Sequence, residues 1–200
     1  MIAKPQGYDE AQAFTGEFAS LPAGLYVCVV KQVSQTESQK GRPQIAILYD
    51  IAEGENKGFY QTQYEAAKKS GTDAKWKGVY KQIMDGSSLP FFKGLMTSIE
   101  KSNPGFVFPW GQGGNEKTLA GKKFGAVMGR EEFFANDGEK RMATKIVQIR
   151  SLDGLKDAKV PEDKLLDASA APASDTKFGP TDKDGFMNIP DGIDEELPFM

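Results

Sequence analysis

Leu25 to Val33 is an apolar run rich in Val with one Tyr, and it predicts a strand buried on both faces in its middle. Leu21-Pro22-Ala23-Gly24 makes the turn before it. Gln44 to Ala52 alternates, with Ile45, Ile47, Tyr49 and Ile51 on one face, and predicts a second strand. The polar stretch Ser34 to Arg42, closed by Gly41 and Pro43, joins the two as a hairpin loop. Glu53 to Gly58 is a tight polar turn. Phe59 to Glu65 alternates aromatic and polar residues and predicts a third strand, with Phe59 facing the core and Tyr60 and Tyr64 on the opposite face. A long connection, Ala66 to Ser88, follows. The period then changes. Phe91, Phe92, Leu95, Met96 and Ile99 recur at helical spacing, Ser88 stands where a cap is needed, and Pro90 suits a first turn. Asn103-Pro104-Gly105 ends this helix. Phe106 to Trp110 is extended, and Gly111 to Asn115 is a flexible loop. A fourth strand runs from Lys122 to Phe133, Asn136-Asp137-Gly138 turns the chain, and Lys140 to Arg150 is the fifth, with Ala143, Val147 and Ile149 inward.

The predicted order is three strands, a helix and two strands. That is the element order of the OB-fold, a five-stranded barrel whose helix lies between strands three and four and plugs one end with its apolar stripe. The fold class expected is therefore mainly β, with another small α+β domain as the alternative. Residues 1–19 read as an N-terminal arm, with a short helical turn from Tyr8 to Phe14. Residues 20–158 form the body. Residues 159–186 form a linker, in which Ala168 to Pro180 is rich in Ala, Ser, Asp and Pro. Residues 187–200 form an acidic tail. No internal repeat is visible.

Composition narrows the chemistry. The chain has 200 residues, 39% of them apolar and 26% charged, which is the balance of a globular domain. No apolar run is long enough to span a bilayer, and Met1 to Gln6 lacks the apolar centre of a signal peptide. A cytoplasmic location, bacterial or in an infected host cell, is expected. Cys28 is the single cysteine and lies in an apolar run, so packing is expected of it rather than reactivity. The chain has no histidine. That removes imidazole bases, Ser-His and Cys-His nucleophile pairs and the usual zinc ligands. No enzymatic activity and no cofactor are expected.

The net charge of −3 hides a division. Residues 1–160 carry 22 basic and 18 acidic side chains, a net of +4; residues 161–200 carry 3 and 10, a net of −7. A mildly basic body with an acidic tail suits a polyanion binder whose tail competes for the same groove. It equally suits an ordinary body with a solubilising end. The tail reads Met187-Asn188-Ile189-Pro190-Asp191-Gly192-Ile193-Asp194-Glu195-Glu196-Leu197-Pro198-Phe199-Met200. It is too poor in apolar residues to fold alone, yet Leu197, Phe199 and Met200 are ill suited to water. An acidic run ending in Pro-Phe has the make-up of a peptide that docks in a basic, apolar pocket.

This tail resembles that of bacterial and phage single-stranded DNA-binding proteins, in which an acidic segment ends in an Ile/Leu-Pro-Phe tip. With the OB-type order and the Leu119-Ala120-Gly121-Lys122-Lys123 approach to strand four, the resemblance to the phage members covers most of the chain. It implies sequence-tolerant binding of single-stranded DNA by the body. It also implies recruitment of replication or recombination proteins through Asp191, Asp194, Glu195, Glu196, Leu197, Pro198 and Phe199. In the bacterial members the Phe is terminal and its carboxylate takes part in docking; here Met200 follows it.

The residues themselves allow such binding. Aromatic rings stack on any base, at about 1–3 kcal/mol each, and Lys and Arg displace counterions from phosphates. The densest mixture of both is Tyr60, Tyr64, Lys68, Lys69, Lys75, Trp76, Lys77, Tyr80 and Lys81. Trp76 and Tyr80 equally suit a small core within the loop. Arg42, Lys122, Lys123 and Arg141 are further candidates beside strands, with Lys31, Arg130, Lys145, Phe133 and Phe134 behind them. A homo-oligomer would strengthen the modest charge of one copy. Two other readings stand beside this one. Asp50, Glu53 and Glu55 form the tightest carboxylate group of the body and suggest a metal-dependent nuclease. A phage structural or inhibitory β-domain would bind protein and no DNA.

Overall fold

The structure, a computed structural model, describes Lys4 and residues 20–69, 74–135 and 138–166. The expected helical turn at Tyr8–Phe14, the acidic tail and most of the arm and linker lie outside the described residues.

Five strands form one antiparallel sheet: β1 (Gly24–Glu37), β2 (Pro43–Ile51), β3 (Val79–Ile83), β4 (Lys123–Phe134) and β5 (Lys140–Arg150), in the spatial order β3-β2-β1-β4-β5. Two helices of useful length accompany them, α1 (Phe59–Lys69) and α2 (Leu89–Ser102), with a single turn, α3 (Leu152–Leu155), after β5. The fold is mainly β, as the patterning predicts. The sheet does not close into a barrel, because no pairing joins β3 to β5 among the described residues. Instead α2 lies against both of these edges. No described helix is long and apolar enough to cross a membrane.

The alternation in β2 is realised in full. Ile45, Ile47, Tyr49 and Ile51 are all buried, because successive side chains of a strand point to opposite faces and one face meets the core. Tyr26, Cys28 and Val30 of β1 line the same core, opposite Phe124, Ala126 and Met128 of β4. A bulge between Val30 and Gln32 resets the register, so that Val33 returns to the core face opposite Ile47. From α2 the core receives Leu95, Met96 and Ile99, the positions that the helical period singles out. Ser88 holds the cap position but accepts no hydrogen bond there. A 3-10 turn at Gly86–Ser88 precedes it and already gives it helical dihedrals. The far end of α2 is tied down by Asn103. Its amide donates to the carbonyls of Ile99 at 2.7 Å and Lys123 at 2.8 Å, and its carbonyl accepts the Lys123 N–H at 3.0 Å.

Three expectations are corrected. The stretch Phe59 to Glu65 is not the third strand but the start of α1. Tyr60 and Tyr64 stand four residues apart, so they share a helix face as readily as a strand face. The third strand is Val79–Ile83, inside the stretch read as a connection. It is short, carries Lys81 and lies at the sheet edge, all of which weaken the local signal. In β5 the inward set is displaced. The β4–β5 register shifts between Val127 and Met128, which pair with Gln148 and Ile146, so Val147 is bulged and 58% exposed while Ile146 packs on the core.

Contacts with β4 continue past residue 158. Lys164 makes a parallel bridge to Glu131, donating its N–H to the Arg130 carbonyl and accepting from Glu132 N at 2.8 Å. The short strand of chain at Lys164 thus occupies the edge of β4 that β1 leaves open beyond Met128.

Candidate nucleic-acid interface

The aromatic and basic stretch from Tyr60 to Lys81 folds into α1, a connecting segment and β3. Asp50, at the end of β2, sets its geometry. Its carboxylate accepts the N–H groups of Ile51 and Tyr60 on Oδ1 at 2.9 and 3.0 Å, and that of Gln61 on Oδ2 at 3.2 Å. The first N–H groups of a helix have no partner within it, so a carboxylate held there starts the helix. Tyr60 is consequently turned inward. It is 7% exposed, its ring meets Tyr49 and Phe59 edge-on, and its hydroxyl lies 3.3 Å from that of Tyr49. Burial raises the pKa of both phenols above the ordinary tyrosine value. A ring so enclosed cannot stack on a base, and the expected exposed pair Tyr60/Tyr64 is replaced by another.

That other pair is Tyr64 and Trp76, both half-buried, with ring centroids 5.8 Å apart. The Trp76 indole N–H donates to the carbonyls of Tyr49 at 3.0 Å and Gly78 at 3.2 Å, and the half-buried ring packs against the core. The backbone passes very close here. A side chain at Gly78 would drive its Cβ into the Tyr49 carbonyl oxygen and the Tyr60 ring. Lys68 and Lys69 are exposed in the last turn of α1, where the helix dipole favours cations. Lys77 is exposed and Lys75 half-buried in the segment after it.

Strand pairing decides the rest. Residues paired across strands share a face. Tyr80 pairs with Ile47 on the core face, and its hydroxyl donates to Gln82 at 2.8 Å. Lys81 pairs with Ala46, which pairs with Ser34, on the outer face. Tyr80 is therefore a packing residue and Lys81 an exposed cation.

The other basic candidates are drawn into local contacts. The Arg42 guanidinium donates to the Asp85 carboxylate at 2.9 Å and the Asp85 carbonyl at 3.0 Å, holding the β1–β2 turn against the approach to α2. Lys123 meets Glu53 at 2.7 Å, and Lys122 stands 4.3 Å above the Phe106 ring. Arg130 pairs with Asp163, and Lys145 with Glu131 at 2.9 Å. Lys31 and Arg141 are exposed, on β1 and β5. Phe133 and Phe134 are half-buried, and Lys140 lies 5.7 Å from the Phe134 ring centroid.

The carboxylates Asp50, Glu53 and Glu55 do not form one site. Asp50 is 1% exposed and engaged by three backbone donors, and Glu53 turns to Lys123. Among the described residues no group of three or more potential ligands is arranged to hold a metal ion. The Cys28 thiol is buried, and burial, with Asp50 nearby, pushes its pKa well above the usual thiol range, which leaves it unreactive. The sequence reading passed over the basic positions on α2, Lys93 and Lys101. Their spacing of eight residues, with Thr97 midway, is the signal that puts them on one helix face. No protein-family model matches the chain, and no curated protein matches it.

Proposed function

We propose that this chain is a single-stranded DNA-binding protein of the phage type. It takes up single strands without sequence preference and recruits replication or recombination proteins through its acidic tail. One observation carries the reading above the others. The strand order β3-β2-β1-β4-β5, with α2 between β3 and β4 and lying against both sheet edges, is compatible with an open OB-type arrangement into which α1 is inserted between β2 and β3. OB-folds bind oligonucleotides across the face of their second and third strands and the adjoining loops. Between β2 and β3, and on β3 itself, this chain offers Tyr64 and Trp76 with Lys68, Lys69, Lys75, Lys77 and Lys81. A half-buried ring pair suits stacking on any base, and the lysines suit the backbone.

The nuclease reading draws less support, because its carboxylates are taken up by backbone donors and by Lys123. The test is an electrophoretic shift of oligo-dT by the full chain, with and without Mg²⁺. A shift without degradation, weaker for duplex and for rising salt, is the expected result. Degradation with Mg²⁺ would replace the proposal by the nuclease, and neither shift nor degradation by the structural role.

A further inference from the structure

A second basic feature lies on the other side of α2. A groove of about 470 Å³ runs between that helix and the end of β5. Lys93, Thr97 and Lys101 form one wall; Gln148, Arg150 and Ser151 form the other. Two properties set it apart. Its lining holds three cations and no carboxylate. Several cations elsewhere are paired with acids, as in Arg42–Asp85, Lys123–Glu53, Arg130–Asp163, Lys140–Glu132 and Lys145–Glu131. Of the acids next to its lining in sequence, Glu100 accepts the Phe108 N–H at 2.9 Å, and the exposed Asp153 pairs with Lys156 at 3.1 Å. The second property is shape. Lys93 and Lys101 are two turns apart, about 12 Å along the helix, and the groove is open rather than closed over a small volume. Such a row suits a chain of anions better than one small ion.

We infer that this groove is a second track for the phosphate backbone of single-stranded DNA, and the inference rests on the function proposed above. No aromatic ring lines it, so it would hold phosphates and leave bases unread. It is also within reach of the first face. α2 touches both β3, which carries Lys81, and β5, which carries Arg150. Arg150 is oriented by Gln148, whose side-chain oxygen accepts its Nε–H at 3.1 Å.

Lys93 and Lys101 are both exposed, so their replacement should leave the fold intact. The experiment compares the full chain with Lys93→Glu/Lys101→Glu and with the neutral Lys93→Gln/Lys101→Gln. Each is titrated with an oligo-dT of about 8 nucleotides, sized for one OB-type face, and with one several times longer. The short oligo should bind all three proteins alike. The long oligo should bind the Glu variant about tenfold or more weakly, and the Gln variant should lose about 1.4 from the salt slope, or 0.7 for each phosphate contact on a single strand. Unchanged long-oligo binding overturns the inference, as does an equal loss for both lengths, which would make the groove the primary site. If the wild type binds a poly-glutamate peptide in place of long DNA and the Glu variant does not, the groove serves an acidic protein segment and the inference also fails. A wild type that binds neither oligo removes the parent reading and this one with it.

Discussion

Asp50 Oδ1 accepts the backbone N–H of Tyr60 at 3.0 Å, across ten residues of chain, and so makes the end of β2 the starting point of α1. The same carboxylate takes the N–H groups of Ile51 and Gln61. Replacing it by Ala strands three donors at a position that is 1% exposed. Asp50→Ala is expected to cost about 2–4 kcal/mol of stability in urea unfolding. Helical circular dichroism should fall with it. Asp50→Asn keeps one acceptor oxygen and should cost less. Full stability of the Ala variant would mean that α1 starts without this cap.

Tyr60 and Tyr64 should separate folding from binding. Tyr60 fills core space beside Tyr49 and Phe59, so Tyr60→Ala is expected to lose about 3–5 kcal/mol of stability. Tyr60→Phe loses only the hydroxyl contact, at about 1 kcal/mol. Tyr64→Ala should fold normally and weaken oligo-dT binding by about 1–3 kcal/mol. Thermal melts and fluorescence titration read the two effects. Normal DNA binding by Tyr64→Ala would reduce the Tyr64–Trp76 pair to packing.

The segment at Lys164 should detach from β4 in acid. Burial alone would raise the Glu131 pKa, but hydrogen bonds from Lys145 and from Lys164 outweigh it and hold the carboxyl below its ordinary value. The Arg130 hydrogen bond lowers that of Asp163. A lowered folded-state pKa gives stability that is present above the unfolded value and lost as pH falls through the folded one. Protection should therefore hold at pH 6 and fade below about pH 4, near the unfolded carboxyl values. Hydrogen exchange at the amides of Lys164 and Glu132, which cross this contact, reads it directly. Glu131→Gln should loosen the segment already at pH 6 and flatten the dependence. Equal protection from pH 6 to pH 3 would show that the backbone bridge alone holds it.

The tail should act in two separable ways. Its acidic residues are expected to compete with DNA for basic surface, since a tethered segment is present at high effective concentration. Deleting residues 187–200 is expected to raise or preserve oligo-dT affinity, most at low salt where charges are least screened. Phe199→Ala should leave DNA binding unchanged and abolish capture of a replication or recombination protein from host extract. Removing Met200 should tighten that capture if a terminal Phe carboxylate is what the partner holds. Lower DNA affinity on deleting the tail would rule out competition.

How much was legible follows from the range of each interaction. The alternation of Ile45, Ile47, Tyr49 and Ile51 and the helical recurrence of Leu95, Met96 and Ile99 are local patterns, so β2 and α2 could be read with nothing else in hand. The span of β5 was equally plain, while the turn expected at Asn136-Asp137-Gly138 falls largely outside the described residues. Phe59 to Glu65 was not, because residues four apart satisfy a strand and a helix alike, and a carboxylate outside the stretch chooses between them. Val79–Ile83 has too short and mixed a pattern to declare itself, and it becomes a strand by pairing with β2. One bulge, invisible in composition, turns Val147 outward and Ile146 inward.

The candidate surface divides the same way. By itself the sequence determined the element order from Leu89 onward, the concentration of rings and lysines between Tyr60 and Lys81, and the acidic end. Only the tertiary structure decided which of those rings face water. Tyr60 went to the core, Tyr80 and Trp76 pack against it, and Tyr64 meets the Trp76 ring. It also brought Arg150 across from Lys93 and Lys101 to make the groove. The physical reason is that exposure is a property of what packs against a side chain, and here those partners come from other strands and helices far along the chain.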